Sequence, residues 1–422
     1  MMKNKTLKFF GTLTGVALLA AQNGFAQESG AGAATNTGDS AWMMTATALV
    51  LFMTIPGLAL FYGGLVHRRN VLSVLMHCFS LACALSVVWL VAGYTLAVGE
   101  DGGWIGGIGA LFHRGVGSGD ILGSAFQMTF FIITPALIIG TFVERIKFSA
   151  MLIFSILWAL VVYAPICHIT WFGGWFAKLG VIDLAGGIVV HITAGVAALV
   201  ACIMVGKRKH PEPPHNLPMT VTGTAMLWVG WFGFNAGSQG GATEAAAMTL
   251  FVTHLSAATA ACTWAAIEWF TIGKPSVLGI VTGSIAGLAA ITPASGVAGP
   301  VGAVIIGIAS GGICWVASVK LKNHFGYDDS LDVVGVHGVG GLVGTLLAAV
   351  VGVKALGGFG DFAMGKQFGL QLMAAAVTAV YTALASVVIL LVVKALVGLR
   401  VTEQEEIVGL DQSAHGESAY ND

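Results

Sequence analysis

Two histidines that each follow an aspartate by eight residues, Asp183 with His191 and Asp329 with His337, offer the clearest chemistry in this 422-residue sequence. The text around them repeats. Gly187-Ile188-Val189-Val190-His191 reads beside Val333-Val334-Gly335-Val336-His337, and a glycine follows each histidine by four, Gly195 and Gly341. Both stand in apolar, helix-forming sequence, where ionisable groups are costly and mark function by default. Burial disfavours a charged imidazole, so each ring is expected to be neutral, donating from one nitrogen and accepting at the other. Two such rings face to face share one hydrogen bond and keep a donor and an acceptor for a small polar guest. A bond that merely bundles two helices uses the same pair, and the residues alone leave both readings open. His77, His168 and His254 lack the repeat and read as packing residues.

Asp183 precedes an apolar run, where a carboxylate caps the orphan N–H groups of the next helix and meets the positive end of its dipole. A buried carboxylate there also favours a cation in an outer vestibule. Asp329, with Asp328 and Asp332 beside it, reads as a helix cap or a solvated charge. Aromatic residues add a third signal: Phe126 and Phe130 lie one helical turn apart, Trp171 ends a span beside Gly173-Gly174, and Gly230 to Ser238 gathers Trp231, Phe232, Phe234 and a hydroxyl. Ring faces attract a cation and a serine oxygen accepts from its hydrogens. An interfacial aromatic belt uses the same residue types.

The elements that position these groups follow from composition. Only 9% of residues are charged, 56% are hydrophobic and 59 are glycine, a balance that excludes an ordinary soluble domain and suits a multi-span membrane protein. Residues 1–26 have a basic start, a short apolar stretch and small residues up to Ala26, the pattern of a cleaved secretory leader. Residues 27–40 then form a short outer segment. Apolar stretches long enough for about 30 Å of hydrocarbon run from Ala41 to Val66, Val71 to Val98, Ile121 to Val143, Phe148 to Phe172, Leu184 to Gly206, Met219 to Gly237, Glu244 to Ile272, Ser276 to Ile291, Gly299 to Val319, Val333 to Val353 and Phe368 to Val397. The expected fold is all-α, with eleven transmembrane helices in residues 41–398 and a cytoplasmic tail at 399–422. Twelve basic residues fall on one side of that topology and four on the other, which puts the C-terminus in the cytoplasm. Five spans per repeat invert the second half against the first, with the site near the midplane between the halves and the long final helix bracing the bundle. All six cysteines lie in apolar segments, so no disulfide framework or metal set is implied.

The ordered motifs then carry a resemblance. From Asp39-Ser40-Ala41 through Pro56-Gly57-Leu58-Ala59-Leu60-Phe61-Tyr62-Gly63-Gly64, Phe126-Gln127, Glu144-Arg145, the Asp183 to His191 stretch, Gly230 to Ser238 and Gly335-Val336-His337-Gly338 to the tail, the chain resembles the ammonium transporter and ammonia channel family, most of all its bacterial AmtB type. The resemblance implies a homotrimer in the bacterial inner membrane with one pore per subunit. It implies an outer ammonium site at Phe126, Phe130, Trp171 and Ser238, a ring gate of Phe130 and Phe234, a pore pair of His191 and His337, and Asp183 as the acidic residue beneath the vestibule. Methylammonium is the expected substrate analogue, a cytoplasmic PII-type signalling protein and membrane lipid the expected partners. No cofactor, metal, enzymatic activity or nucleic-acid partner is expected.

Ammonium and potassium ions are similar in size, and only ammonium can give up a proton. The expected mechanism is therefore recruitment of ammonium, deprotonation near the ring gate and passage of ammonia along the histidines, with proton coupling left open. Rival readings are an ammonium sensor acting through its tail, although no signalling domain is appended after Val401; a channel for neutral solutes or gases, disfavoured by the cation-attracting rings; and a sodium-coupled carrier, disfavoured because Glu268 lies near a span end rather than midway.

Overall fold

A computed structural model describes residues 36–100 and 103–420. The expected leader at 1–26, and the outer segment as far as residue 35, lie outside the described residues. Eleven helical rods form the bundle: α1 Thr37–Leu65, α2 Val71–Val98, α3 Ile121–Ile139, α4 Phe148–Leu179, α5 Gly187–Val205, α6 Leu217–Gly237, α7 Glu244–Ile272, α8 Val277–Ile291, α9 Pro300–Phe325, α10 Val334–Val351 and α11 Met364–Val397. Among the described residues, nine helices are long and apolar enough to cross a membrane. The shorter α8 packs against α7, α9 and α10, and α6 packs against α1, α7 and α8.

Local chemistry sets the helix ends. Asn36 Oδ1 accepts from Gly38 N at 3.0 Å and Asp39 N at 3.4 Å, so α1 begins four residues before the apolar stretch does. Asn216, Thr243 and Ser276 cap α6, α7 and α8 in the same way. Gly273 at φ 88° closes α7, a left-handed position that favours glycine. Helix α4 continues past Phe172 to Leu179 across a bend, and α9 runs six residues beyond Val319 to Phe325.

Glycines let backbones touch where lipid supplies no hydrophobic drive for helix association. A Cβ on Gly195 of α5 would collide with the Gly338 backbone of α10, and one on Gly341 would lie 2.6 Å from His191 Cβ. Both histidine-bearing rods therefore cross in direct contact. Each also opens with a widened π-helical turn, Gly187–Ile192 in α5 and Val334–Gly338 in α10, and each histidine lies inside one. Such turns gather at functional positions.

At the end of the bundle that carries the tail, charged side chains knit the loops together. Arg145, fully buried, donates to Gly206 O at 2.7 Å, Thr141 O at 2.9 Å and Ser330 Oγ at 2.7 Å, and also to the Val143 and Asp328 carbonyls. Glu144 accepts from His67 N at 2.8 Å, Asn70 Nδ2 at 3.0 Å and Arg208 Nη1 at 2.8 Å. The tail folds into α12 Glu403–Val408, with a Thr402–Glu405 capping box, and α13 Leu410–His415. It docks on these loops: Glu406 takes Arg400 at 2.6 Å and Lys209 N at 2.5 Å, Arg69 Nη1 reaches Ile407 O at 2.6 Å, and Asp411 Oδ1 accepts from Ser73 N, at the start of α2, at 2.7 Å. Glu406 and Asp411 of the tail are thus buried and docked, not solvated.

Candidate functional site

His191 and His337 meet in the centre of the bundle. Their Nδ1 atoms are 3.2 Å apart and their rings lie nearly parallel, 17° between planes with centroids 5.2 Å apart. Both side chains are buried, and among the described residues His191 Nε2 has no hydrogen-bond partner. One ring donates across the Nδ1 contact and the other accepts.

Asp183 organises the approach to this pair. Its Oδ1 accepts from Gly186 N at 2.9 Å and Gly187 N at 2.6 Å, and its Oδ2 from Ile188 N at 2.8 Å and Val189 N at 3.1 Å. All four orphan N–H groups of the α5 start are thereby satisfied by one carboxylate. Asp329 stands in the corresponding place before α10, where Oδ2 accepts from Val334 N at 2.7 Å. At 1% exposure Asp329 is a helix cap and not a solvated charge. Nearby, Asp332 pairs with Lys322. Burial alone would raise the Asp328 carboxyl, but the hydrogen bonds and charge of Arg208, with Arg145 behind it, hold it below the ordinary carboxylate range.

A column of rings leads to the histidines from the other end. Phe130 and Phe234 stack with centroids 4.3 Å apart and 25° between planes, Trp171 meets Phe130 edge-on at 5.9 Å, and Phe126 meets it at 5.0 Å. Trp171 Nε1 donates to Asp183 O at 2.7 Å, which couples the outer ring to the α5 cap. Ser238 Oγ donates to Phe234 O at 2.8 Å, leaving its lone pairs as acceptors. Below the stack, Phe234 lies 6.1 Å from His191. Phe126, Trp171, Phe130, Phe234, His191 and His337 therefore form one connected series of ring contacts, with Asp183 and Ser238 hydrogen-bonded beside it. Phe126 is fully buried against Gly237 and backs Phe130.

Beneath the ring stack is a narrow cavity of about 10 Å³, enough for one water-sized molecule. Phe234, His191 and His337 line it with apolar side chains from α1, α3, α6 and α8. His337 also borders a wider vestibule of about 250 Å³, edged by Arg208, Glu212, Lys322 and Asp332 at the tail end.

The profile of the Ammonium Transporter Family matches residues 41–420. The chain belongs to that family. Among its relatives, the ammonium transporter of Aquifex aeolicus is 45% identical over 400 residues, covering 92% of this chain and 94% of the relative. That of Bacillus subtilis is 46% identical over 401 residues, covering 91% and 99%. Among solved structures, Mep2 of Candida albicans superposes with a TM-score of 0.82 at 32% identity, covering 95% of this chain and 92% of that one. A structure described as a sensor Amt protein reaches a TM-score of 0.85 at 28% identity, covering 90% and 98%.

Sequence reasoning left one neighbour of the site without a role. Trp231 stacks on His191 with centroids 5.5 Å apart and 22° between planes, and its Nε1 donates to Thr292 Oγ1 at 2.9 Å. The available signal was its spacing: Trp231 precedes Phe234 by three residues and so shares its face of α6.

Proposed function

We propose that this member of the family recruits ammonium at Trp171, Phe130, Phe126 and Ser238, releases ammonia beside the Phe130–Phe234 gate, and conducts it past His191 and His337. The observation that carries the reading is the buried histidine pair in an otherwise apolar cavity sized for a single small molecule. An intact cation in such a lumen would lose solvation worth on the order of tens of kcal/mol. Ammonia needs only a donor and an acceptor, and the pair offers both. Potassium, with no proton to release, keeps its charge and is excluded.

The proton has a route through the same atoms. Ammonium transfers a proton to His191 Nε2, an N–H bond of ammonium breaking as the imidazolium N–H forms; the shared Nδ1 proton passes to His337, and His337 releases its Nε2 proton toward the vestibule. Asp183 acts here by holding the start of α5, and with it the height of His191. Three copies assemble as a homotrimer in the bacterial inner membrane, with the recruiting end periplasmic and the tail cytoplasmic. A PII-type signalling protein closes the vestibules from below, and the docked tail supports it.

Proteoliposomes in which ammonium-evoked current, internal pH and potassium flux are read together test the proposal. Replacing both His191 and His337 with alanine is expected to abolish normal ammonia transport or to admit potassium. Unchanged uptake with unchanged potassium exclusion would refute the role of the pair. A wild type that binds ammonium and moves its tail without any flux would establish the sensor reading instead.

A further inference from the structure

The two histidines are chemically alike but not equally surrounded. His191 lies between His337 and a pair of aromatic faces, Trp231 at 5.5 Å and 22° and Phe234 at 6.1 Å and 33°. Among the described residues, the ring contact of His337 is His191 alone. Trp231 is fixed in place, since its indole N–H donates to Thr292 Oγ1 while that hydroxyl donates to Leu288 O at 2.8 Å. With its edge bonded, the indole presents a face to the imidazole. A cation within about 6 Å of an indole face is attracted by the ring quadrupole, more strongly when water is absent.

We propose that Trp231, pinned by Thr292, is a positioning residue that stabilises the protonated form of His191 and so sets how much of the proton freed from ammonium crosses with ammonia. The inference rests on the pore reading above. The proton enters at His191 Nε2, an atom without a hydrogen-bond partner among the described residues, and that ring alone of the two is backed by an indole. Among the described residues, the titratable group facing His191 is His337 of α10. Asp183, at the head of His191's own helix, commits both oxygens to four backbone N–H groups. Apart from the two histidines, the residues that α1, α3, α5, α6 and α8 present to the cavity, Leu227, Trp231, Phe234 and Ile285 among them, include no ionisable group. Of the two aromatic faces beside His191, the indole is the nearer and the more nearly parallel, and so the better placed to favour charge on this ring.

The test uses full-length protein in proteoliposomes, with current and net ammonium uptake read from the same vesicles across a series of external pH values. Trp231→Leu removes the face, and the ratio of current to uptake is expected to fall about five- to thirty-fold. The pH of half-maximal current should move lower by about 0.7–1.5 units, the logarithm of that factor. Trp231→Phe keeps a ring and should restore most of the ratio. Thr292→Val leaves the indole but frees it, and should lower the ratio by a smaller factor; it serves as the deciding variant if Trp231→Leu does not fold. A wild-type ratio and pH profile in folded Trp231→Leu, or in Thr292→Val where the leucine variant is lost, overturns the inference, as does a wild type that carries no current. If the double histidine replacement changes selectivity while the Trp231 variants change nothing, this inference fails alone. If the histidine replacement is also silent, the pore reading fails with it.

Discussion

Replacing Asp183 with asparagine should cost stability before it costs chemistry. The carboxylate receives four backbone N–H groups between 2.6 and 3.1 Å, all within the first turn of α5. Asparagine keeps one oxygen and turns the other into an amide donor aimed at two N–H groups that need an acceptor. Hydrogen bonds to a charged group contribute about 1.5–3 kcal/mol each, and a buried donor left unsatisfied loses about 1–3 kcal/mol. The two bonds lost put Asp183→Asn at about 3 kcal/mol or more. Asp183→Ala, which orphans all four donors, should lose about 6 kcal/mol or more, comparable to the whole stability of many folds. His191 lies eight residues on, so a frayed start to α5 also loosens its 3.2 Å contact with His337. Thermal unfolding midpoints in detergent, read beside methylammonium uptake in vesicles, are the assay. The asparagine variant should melt earlier and transport less, and the alanine variant should fail to accumulate. An asparagine variant that melts with the wild type and transports nothing would refute the reasoning, because the charge would then be acting on the ion itself.

Three further outcomes follow from the same geometry. Trp171→Leu removes a cation-attracting face that contributes about 0.5–2 kcal/mol, so ammonium should compete with methylammonium about two- to thirty-fold less well while the protein stays folded; wild-type competition and throughput would count against the outer site. The Asp328 carboxyl is held below the ordinary range, so its contribution to the loop clasp is complete above the unfolded carboxylate value and lost as pH falls through the lowered folded one; proteolysis of the tail should accelerate only below about pH 4 in the wild type and already at neutral pH in Asp328→Asn. Deleting residues 399–422 should weaken nucleotide-dependent capture of a matching PII-type protein, and full inhibition by that protein after the deletion would remove the tail from the mechanism.

Much of this was legible in the residues. Period and length outlined the rods because lipid demands long, internally bonded helices, and the repeated aspartate and histidine spacing marked both of the histidines that meet inside the bundle. Asp183 read as a cap because a carboxylate before an apolar run has little else to bond. Other features carried no local signature. The widened turns at Gly187–Ile192 and Val334–Gly338 became visible only in the folded backbone. Trp231 was indistinguishable from an interfacial aromatic until its stacking partner, forty residues earlier in the chain, came into contact. Arg145 was visible as half of a Glu144-Arg145 pair, but its targets lie on loops around residues 206 and 328, contacts of a kind that one sequence does not display.

The Gly195–Gly338 contact has a mechanical meaning of its own. Where one backbone rests on another there is no compressible side chain between them, so the crossing behaves as a ruler set by atomic radii. The imidazoles hang close beside it and inherit its calibration. A bilayer that thickens or thins can tilt both rods, but they turn about the point where they touch, and the histidines ride with the pivot. The gap between the two rings is therefore fixed first by this backbone contact, and only secondarily by the tilt of either rod.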